Sequence, residues 1–225
     1  GVLLQKHFVI LHLLVEFAKL YSSMVSDASI SYEEWLSSHQ PFHWLAEYYH
    51  IMHSNGDFDV IIGNPPYVVY TAKKYFYKIS ESYKTYKCAN LYAYCIERSH
   101  QILSYIGICG MIIPNSSISA TKMAPVQNII KTGKKCWISN YSWRPAKLFE
   151  GADMLLAIII DKHNEIDTVY STKYNKWYNE YRNFLFKNLA YNETTNINMA
   201  DSIAKLPSPL FTKIIENLKS ATYRV

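Results

Sequence analysis

Residues 58–67 run Phe-Asp-Val-Ile-Ile-Gly-Asn-Pro-Pro-Tyr, an apolar stretch ending abruptly in Asn64-Pro65-Pro66-Tyr67. This pattern constrains the fold from both sides. A short, near-continuous apolar run suits a parallel strand covered on both faces. Two consecutive prolines then forbid its continuation: neither has an N–H for a neighbouring strand, and each restricts the residue before it. The strand must stop at Asn64, and the carboxyl end of a parallel strand is where open α/β sheets hold ligands. Average residue usage puts the chance occurrence of this tetrapeptide in a chain this long at roughly one in a thousand, so it is read as chemistry rather than as a rigid turn.

The flanking punctuation extends the pattern. Residues 3–24 fit a helix with an apolar face of Leu4, Phe8, Leu11, Val15 and Ala18. Residues 32–53 fit a second helical region divided at Pro41, and Asn55-Gly56-Asp57 is a turn. Beyond the loop, residues 68–89 show no clear period. Asn90 is placed to cap a helix reaching about Ser104, with Leu91, Tyr92, Cys95, Ile96, Ile102 and Leu103 as its buried stripe. Gly107–Ile113 reads as a strand, followed by a helix over Lys122–Lys131 with Pro125 in its first turn and Gly133 as its stop. Trp137–Trp143 and Met154–Asp161 read as two further strands. This order predicts an α/β sheet with helices on its faces. After residue 162 asparagine, lysine and aromatics dominate, and Leu206-Pro207-Ser208-Pro209 precedes a last helix around Leu210–Lys219.

Composition narrows the class. With 49% hydrophobic and 18% charged residues, 225 residues suffice for one sizeable domain or one domain and part of another. A net charge of +5 is compatible with nucleic acid without demanding it. Cys88, Cys95, Cys109 and Cys136 lack CxxC spacing, which suggests reduced thiols in a cytoplasmic protein. Lys6, His7, His12, Glu16 and Lys19 interrupt the apolar N-terminal stretch, so a packed amphipathic helix is expected there and no membrane association. No small-residue cleavage site closes that stretch, which argues against a signal peptide.

The loop Asn64-Pro65-Pro66-Tyr67 resembles the catalytic loop of S-adenosylmethionine-dependent amino-methyltransferases, above all those that methylate the exocyclic amine of adenine in DNA. Other segments are similar to the large methyltransferases of fused restriction–modification and phage-defence systems. These are Pro41–Tyr48 before the strand, Asn90-Leu91-Tyr92 opening a helix with Ile96-Glu97-Arg98, Gly110–Ser116, and Lys147–Ala152 running into Leu155–Asp161. The resemblance covers residues 41–161 approximately. It implies a partial Rossmann-like methyltransferase sheet with flanking helices, followed by the start of a second domain. The implied layout is a helical lead-in over 1–57, the catalytic, target-base half over 58–165, and a linker with the start of a target-recognition domain over 166–225.

The resemblance also implies roles. Asn64, through its side-chain oxygen, and Pro65, through its backbone carbonyl, would accept from the target amine, with Pro66 fixing the geometry. Tyr67 would stack on a base extruded from double-stranded DNA, and Phe149 would pack on its other face. The cofactor would be S-adenosylmethionine, and no metal is required. One departure stands out. The family's glycine-rich cofactor turn lies upstream of this loop, yet no GxG occurs here and only Gly1 and Gly56 precede Gly63. The expectation is therefore the downstream part of a longer enzyme, completed by a missing N-terminal half or a separate subunit. The alternatives are a truncated, non-catalytic DNA-binding remnant, or a methyltransferase acting on a protein glutamine or an RNA base.

Weaker signals remain open. Residues 67–94 interleave Tyr70, Tyr75, Tyr77, Tyr83 and Tyr86 with Lys73, Lys74, Lys78, Lys84 and Lys87, which fits either DNA contact or a solvated loop with core tyrosines. Lys173–Lys187 fits DNA contact or a helix face. The pairs His39/His43 and His50/His53 are expected on polar helix faces, Ser116, Ser117 and Ser119 in a helix cap, and Cys95 and Cys109 in the core.

Overall fold

The computed structural model describes residues 31–39, 48–49, 51, 57–71, 78–198 and 202–222. The chain divides into two compact units, Gly1–Asp57 and Phe58–Val225. In the first, α1 (Tyr32–His39) begins with a reciprocal capping box. The Glu34 N–H donates to Ser31 Oγ at 3.2 Å, and the Ser31 N–H donates to Glu34 Oε2 at 2.9 Å. The expected helix over 3–24, the Pro41 break and the side chains of all four paired histidines lie outside the described residues.

The second unit is built on a six-stranded sheet in the order β1-β2-β4-β3-β5-β6. The strands are β1 (Phe58–Gly63), β2 (Leu103–Pro114), β3 (Lys134–Tyr141), β4 (Leu156–His163), β5 (Thr168–Asn175) and β6 (Asn192–Glu193). The helices are α2 (Leu91–Gln101), α3 (Ala124–Lys131) and α4 (Pro209–Thr222). β1 lies parallel to β2, and β3 parallel to β5. β4 runs antiparallel between β2 and β3. The expected succession strand, helix, strand, helix, strand, strand is present from β1 to β4.

Several boundaries move. α2 ends at Gln101, so Ile102 and Leu103 belong to the turn and to β2, which is longer than expected. Asn90 is extended and opens the helix without a side-chain cap; its Nδ2 instead donates to the Cys88 carbonyl at 2.9 Å. β3 and β4 are offset from the expected 137–143 and 154–161, because alternation locates a strand better than it locates the strand's ends. α3 carries Pro125 in its first turn, and Gly133, with φ of 65°, lies just past its end. Beyond residue 166, β5 and β6 extend the sheet, and α4 covers Pro209–Thr222. No helix among the described residues is long and apolar enough to cross a membrane.

The larger core cluster lies on one face of the sheet. Cys109, Met111 and Ile113 of β2, Ile138 of β3 and Ala157 and Ile159 of β4 pack with Ile96 of α2 and Val126 and Ile130 of α3. Burying one such aliphatic side chain contributes about 1.5–3 kcal/mol. The opposite face differs from expectation. β1 is an edge strand covered on one face only, with Ile62 82% and Val60 55% exposed. Ile106, Ile108 and Ile160 continue this exposed apolar face across β2 and β4. The apolar run of β1 signals two hydrophobic faces, and the described residues cover one of them.

The connection from the loop to α2 is held by buried Glu97. Its carboxylate accepts from the Lys84 and Thr85 N–H groups at 3.0 and 2.8 Å and from Thr85 Oγ1 at 2.8 Å. Tyr70 is a core residue, edge-on to Tyr94, which also meets Tyr83 edge-on. Lys78, Lys84 and Lys87 are exposed, which fits both readings of this segment. Replacing Glu97 with Ala strands the buried Thr85 donors and should cost about 3 kcal/mol in urea unfolding. Faster amide exchange at Lys84 and Thr85 is expected with it.

Candidate active site

Parallel pairing brings the ends of β1 and β2 to the same side, with Gly63 opposite Met111 as their last paired residues. The loop leaves β1 there. Asn64 and Pro66 are exposed, Pro65 is buried and Tyr67 is half-buried. The Tyr67 hydroxyl lies 2.7 Å from Asn64 Oδ1 and 3.1 Å from the Ile112 carbonyl oxygen, both of which accept from it. One phenol thus ties the loop's amide to the end of β2. Burial pushes the Tyr67 hydroxyl up to about 12, and its ring meets Tyr92 of α2 edge-on at 6.3 Å.

The loop's exit is pinned as well. The Leu91 N–H donates to the Val68 carbonyl, and the Tyr70 N–H to the Ala89 carbonyl, each at 2.9 Å. These bonds hold Ala89 at φ of 52°, a left-handed conformation that costs a residue with a Cβ about 1 kcal/mol.

Phe149 arrives from the β3–β4 connection. It and Tyr67 both pack against a second cluster made by Tyr141, Ala146, Leu148, Ala152, Leu156, Trp177 and Leu185. Asn64, Pro65, Pro66 and Tyr67 form one loop by sequence, and Phe149, from the β3–β4 connection, packs against the same cluster as Tyr67. Arg182 clamps the Phe149 segment, donating through Nη1 to the Lys147 carbonyl at 3.1 Å and through Nη2 to the Leu148 carbonyl at 2.6 Å. Lys147 is ion-paired with Asp153 on the same turn.

Sequence reasoning did not single out the polar network beside this end of the sheet. Buried Asn115 donates from Nδ2 to Asn140 Oδ1 at 2.8 Å and accepts from the Tyr174 hydroxyl at 2.7 Å. Asn140 in turn donates to Ser171 Oγ and the Thr172 carbonyl. Asn115 was legible only as one residue of a similar segment, and nothing in the spacing pairs it with Asn140 or Tyr174. The serine expectation needs correcting. Ser117 and Ser119 donate to the carbonyls of Pro114 and Asn115 at 2.6 and 3.0 Å, and no side chain caps the short 3-10 turn they occupy. The segment Lys173–Lys187 is not a helix face either. It completes β5 and forms a 3-10 turn over Asn179–Phe184, with Tyr178, Tyr181, Phe184 and Phe186 exposed.

The described glycines do not form a cofactor cradle. Gly63, Gly107 and Gly110 lie within strands, and Gly133 and Gly151 make isolated turns with φ of 65° and 80°. Among the described residues, then, the glycines make no glycine-rich turn.

The sheet, its helices and a loop of this composition at the carboxyl end of a parallel edge strand define a partial Rossmann-like methyltransferase fold. The chain belongs to the Eco57I restriction-modification methylase family, whose model matches residues 12–146, more than half its length. No curated protein matches it. Among solved structures, a nuclease-deletion mutant of the Type ISP restriction-modification enzyme LlaGI with a DNA substrate mimic is 13% identical, with a TM-score of 0.50. That match covers 71% of this chain and 19% of the LlaGI chain. The DrdV–DNA complex is 14% identical over 60% of this chain and 17% of its own, with a TM-score of 0.48. The Type IIL restriction-modification enzyme MmeI in complex with DNA is 16% identical over 63% of this chain and 19% of its own, with a TM-score of 0.37. The chain therefore spans about a fifth of the length of these enzymes.

Changing Tyr67 to Phe removes the hydroxyl link while keeping the ring. A loss of about 1 kcal/mol is expected in urea unfolding at neutral pH. Because the fold raises the phenol from 10.0 to about 12, it favours the neutral form. That contribution is complete below pH 10.0 and disappears as pH climbs through about 12. The parent chain should accordingly lose stability across this alkaline window, and the Phe variant should lose less.

Proposed function

We propose that this chain is the base-facing part of a DNA methyltransferase that modifies the exocyclic amine of adenine. Membership of a restriction-modification methylase family supports the reaction class. The observation that carries the finer reading is the Tyr67 hydroxyl joined to both Asn64 and Ile112, which presents Asn64 at the open end of the sheet beside the buried Pro65.

The amine's lone pair is delocalised into the purine, so the amine is a poor nucleophile. Acceptors that hold both of its hydrogens favour a lone pair directed out of the ring plane. A carboxamide oxygen has two acceptor positions. With one engaged by Tyr67, Asn64 Oδ1 keeps the other for an amine hydrogen, and the Pro65 carbonyl takes the second. Pro66 restricts the direction of that carbonyl. Tyr67 and Phe149, joined through their common cluster, would sandwich the extruded base. The work assigned to these residues is positioning and hydrogen bonding in a partly dry site.

S-adenosylmethionine would supply an electrophilic methyl group when bound. The described glycines make no cradle for it. A cofactor-binding half, carried by the same polypeptide or by a separate subunit, would complete the site. The open edge of β1 and the exposed face of Val60, Ile62, Ile106, Ile108 and Ile160 are suited to receive it. Residues 1–57 would act as a helical lead-in, and the region after 166 as the start of target recognition on double-stranded DNA. The same missing cradle favours one further reading, a non-catalytic DNA-binding remnant. Calorimetric titration of the isolated chain with S-adenosylmethionine separates them from a self-sufficient enzyme, since tight binding would refute both the missing half and the remnant.

In the enzyme completed by its cofactor-binding half, Asn64→Ala should lower adenine methylation by about a hundredfold or more while leaving the circular dichroism spectrum unchanged. Undiminished methylation would sink the assignment. Duplex binding should weaken steeply with added salt.

A further inference from the structure

Three groups with donor chemistry meet beneath α2, at residues the proposed reaction does not use. They are His100 in the last turn of α2, Cys109 on β2 and Asp161 directly opposite it on β4. One donor atom from each lies within 4.8 Å of the others. Asp161 is fully buried. Its Oδ1 lies 2.9 Å from His100 Nε2 and 3.7 Å from Lys134 Nζ, and its Oδ2 has no hydrogen-bond partner.

The histidine ring poses a specific problem. Its Nδ1 lies 2.8 Å from the Ile96 carbonyl oxygen, which can only accept, so Nδ1 must carry a proton. A neutral ring then aims the Nε2 lone pair at a carboxylate oxygen 2.9 Å away. Two acceptors at that distance repel, so the pair calls either for a proton between them or, with the two atoms slightly parted, for a metal ion bound by both. A second ring proton would serve, but it would leave Asp161 Oδ2 without a partner and make no use of the thiol. A metal ion uses all three donors: a neutral imidazole nitrogen, a thiolate and a carboxylate. Fixing the distal ring nitrogen on a backbone carbonyl is also the usual way a ligating histidine is oriented.

We propose that His100, Cys109 and Asp161 form a binding site for a divalent transition-metal ion, zinc by its donor set. The site ties α2 to β2 and β4, away from the Asn64 loop. Bond lengths of about 2.0–2.3 Å put tetrahedral donors roughly 3.3–3.8 Å apart, so His100 Nε2 and Asp161 Oδ1 would part slightly while the more distant donor closes in. A cleft of about 820 Å³, lined by Glu97, His100, Gln101 and Lys134 among others, reaches His100, the ligand an ion would meet first. Lys134 is half-buried at the rim of this cleft, and its ammonium would swing outward as the ion enters.

The test is titration of the chain with Co2+, a spectroscopic substitute for zinc. One equivalent should bind, giving tetrahedral d–d bands and a thiolate-to-cobalt charge-transfer band that zinc abolishes. Cys109→Ser should remove the charge-transfer band, whereas Cys88→Ser, a buried thiol outside the cluster, should keep it. His100→Gln, on the cleft wall, should weaken cobalt binding at least tenfold, and it carries the test if Cys109→Ser does not fold. The absence of saturable binding would overturn the proposal. So would a charge-transfer band unchanged in Cys109→Ser, or an affinity unchanged in His100→Gln.

Discussion

The antiparallel insertion of β4 between β2 and β3 is the constraint on which the rest of the molecule depends. β4 pairs continuously with β2 from Pro114↔Leu156 to Ile108↔Lys162, and with β3 from Tyr141↔Leu156 to Lys134↔His163. Both edges of one strand are thus satisfied by backbone hydrogen bonds. A register slip of one residue would turn Ala157, Ile159 and Asp161 out of the helix-covered core and Ile158 and Ile160 into it. The same insertion sets the path of the β3–β4 connection. Leu156 enters β4 beside the end of β2, and Tyr67 and Phe149 both pack against the cluster to which Leu148, Ala152 and Leu156 belong.

From that arrangement the polarity of the molecule follows. At the carboxyl end of β1 and β2, hydrogen bonds join side chains to a loop: Tyr67 to Asn64 and Ile112, and Tyr174 to Asn115. Toward the other end, buried ionisable groups gather under α2, with Asp161 beside His100 and Lys134. Burial and the nearby carboxylate push the Cys109 thiol up to about 12 and raise Cys136 well above the ordinary thiol range. The apolar layer of Met111, Ile113, Ile138 and Ile159 separates the two regions.

The fold was legible where chain-local physics decides it. The apolar run into two prolines locates β1 and its loop, Pro125 and Gly133 bracket α3, and the element order gives the α/β class. Three things escaped. Strand ends were misplaced because they are set by partners: β2 begins at Leu103 where it meets Phe58, four residues before the apolar alternation suggests. The second face of β1 was expected to be covered because hydrophobicity records what a strand is suited to pack against, not whether the covering element is in reach. β5 escaped because Thr168–Asn175 is polar, and it joins the sheet through β3, whose position depends on β4. The site divides the same way. The candidate loop stands out because Asn64, Pro65, Pro66 and Tyr67 are contiguous, and Phe149 was named only through resemblance. The pairing of Asn115 with Asn140 and Tyr174 could not be read, since their bonds span 25 and 59 residues of chain.

The exposed apolar face bears on how the site could operate. Isolated surface isoleucines are ordinary, but Val60, Ile62, Ile106, Ile108 and Ile160 lie together on one sheet face. The register aligns them: Val60 pairs with Ile108, and Ile62 and Ile160 flank Gly110. A contiguous patch of this kind favours burial against another element. β1 also presents an edge without a partner strand among the described residues, directly before Asn64. Any element that docks there would therefore adjoin the loop. On the function proposed above, assembly of the sheet and completion of the site would then be the same event.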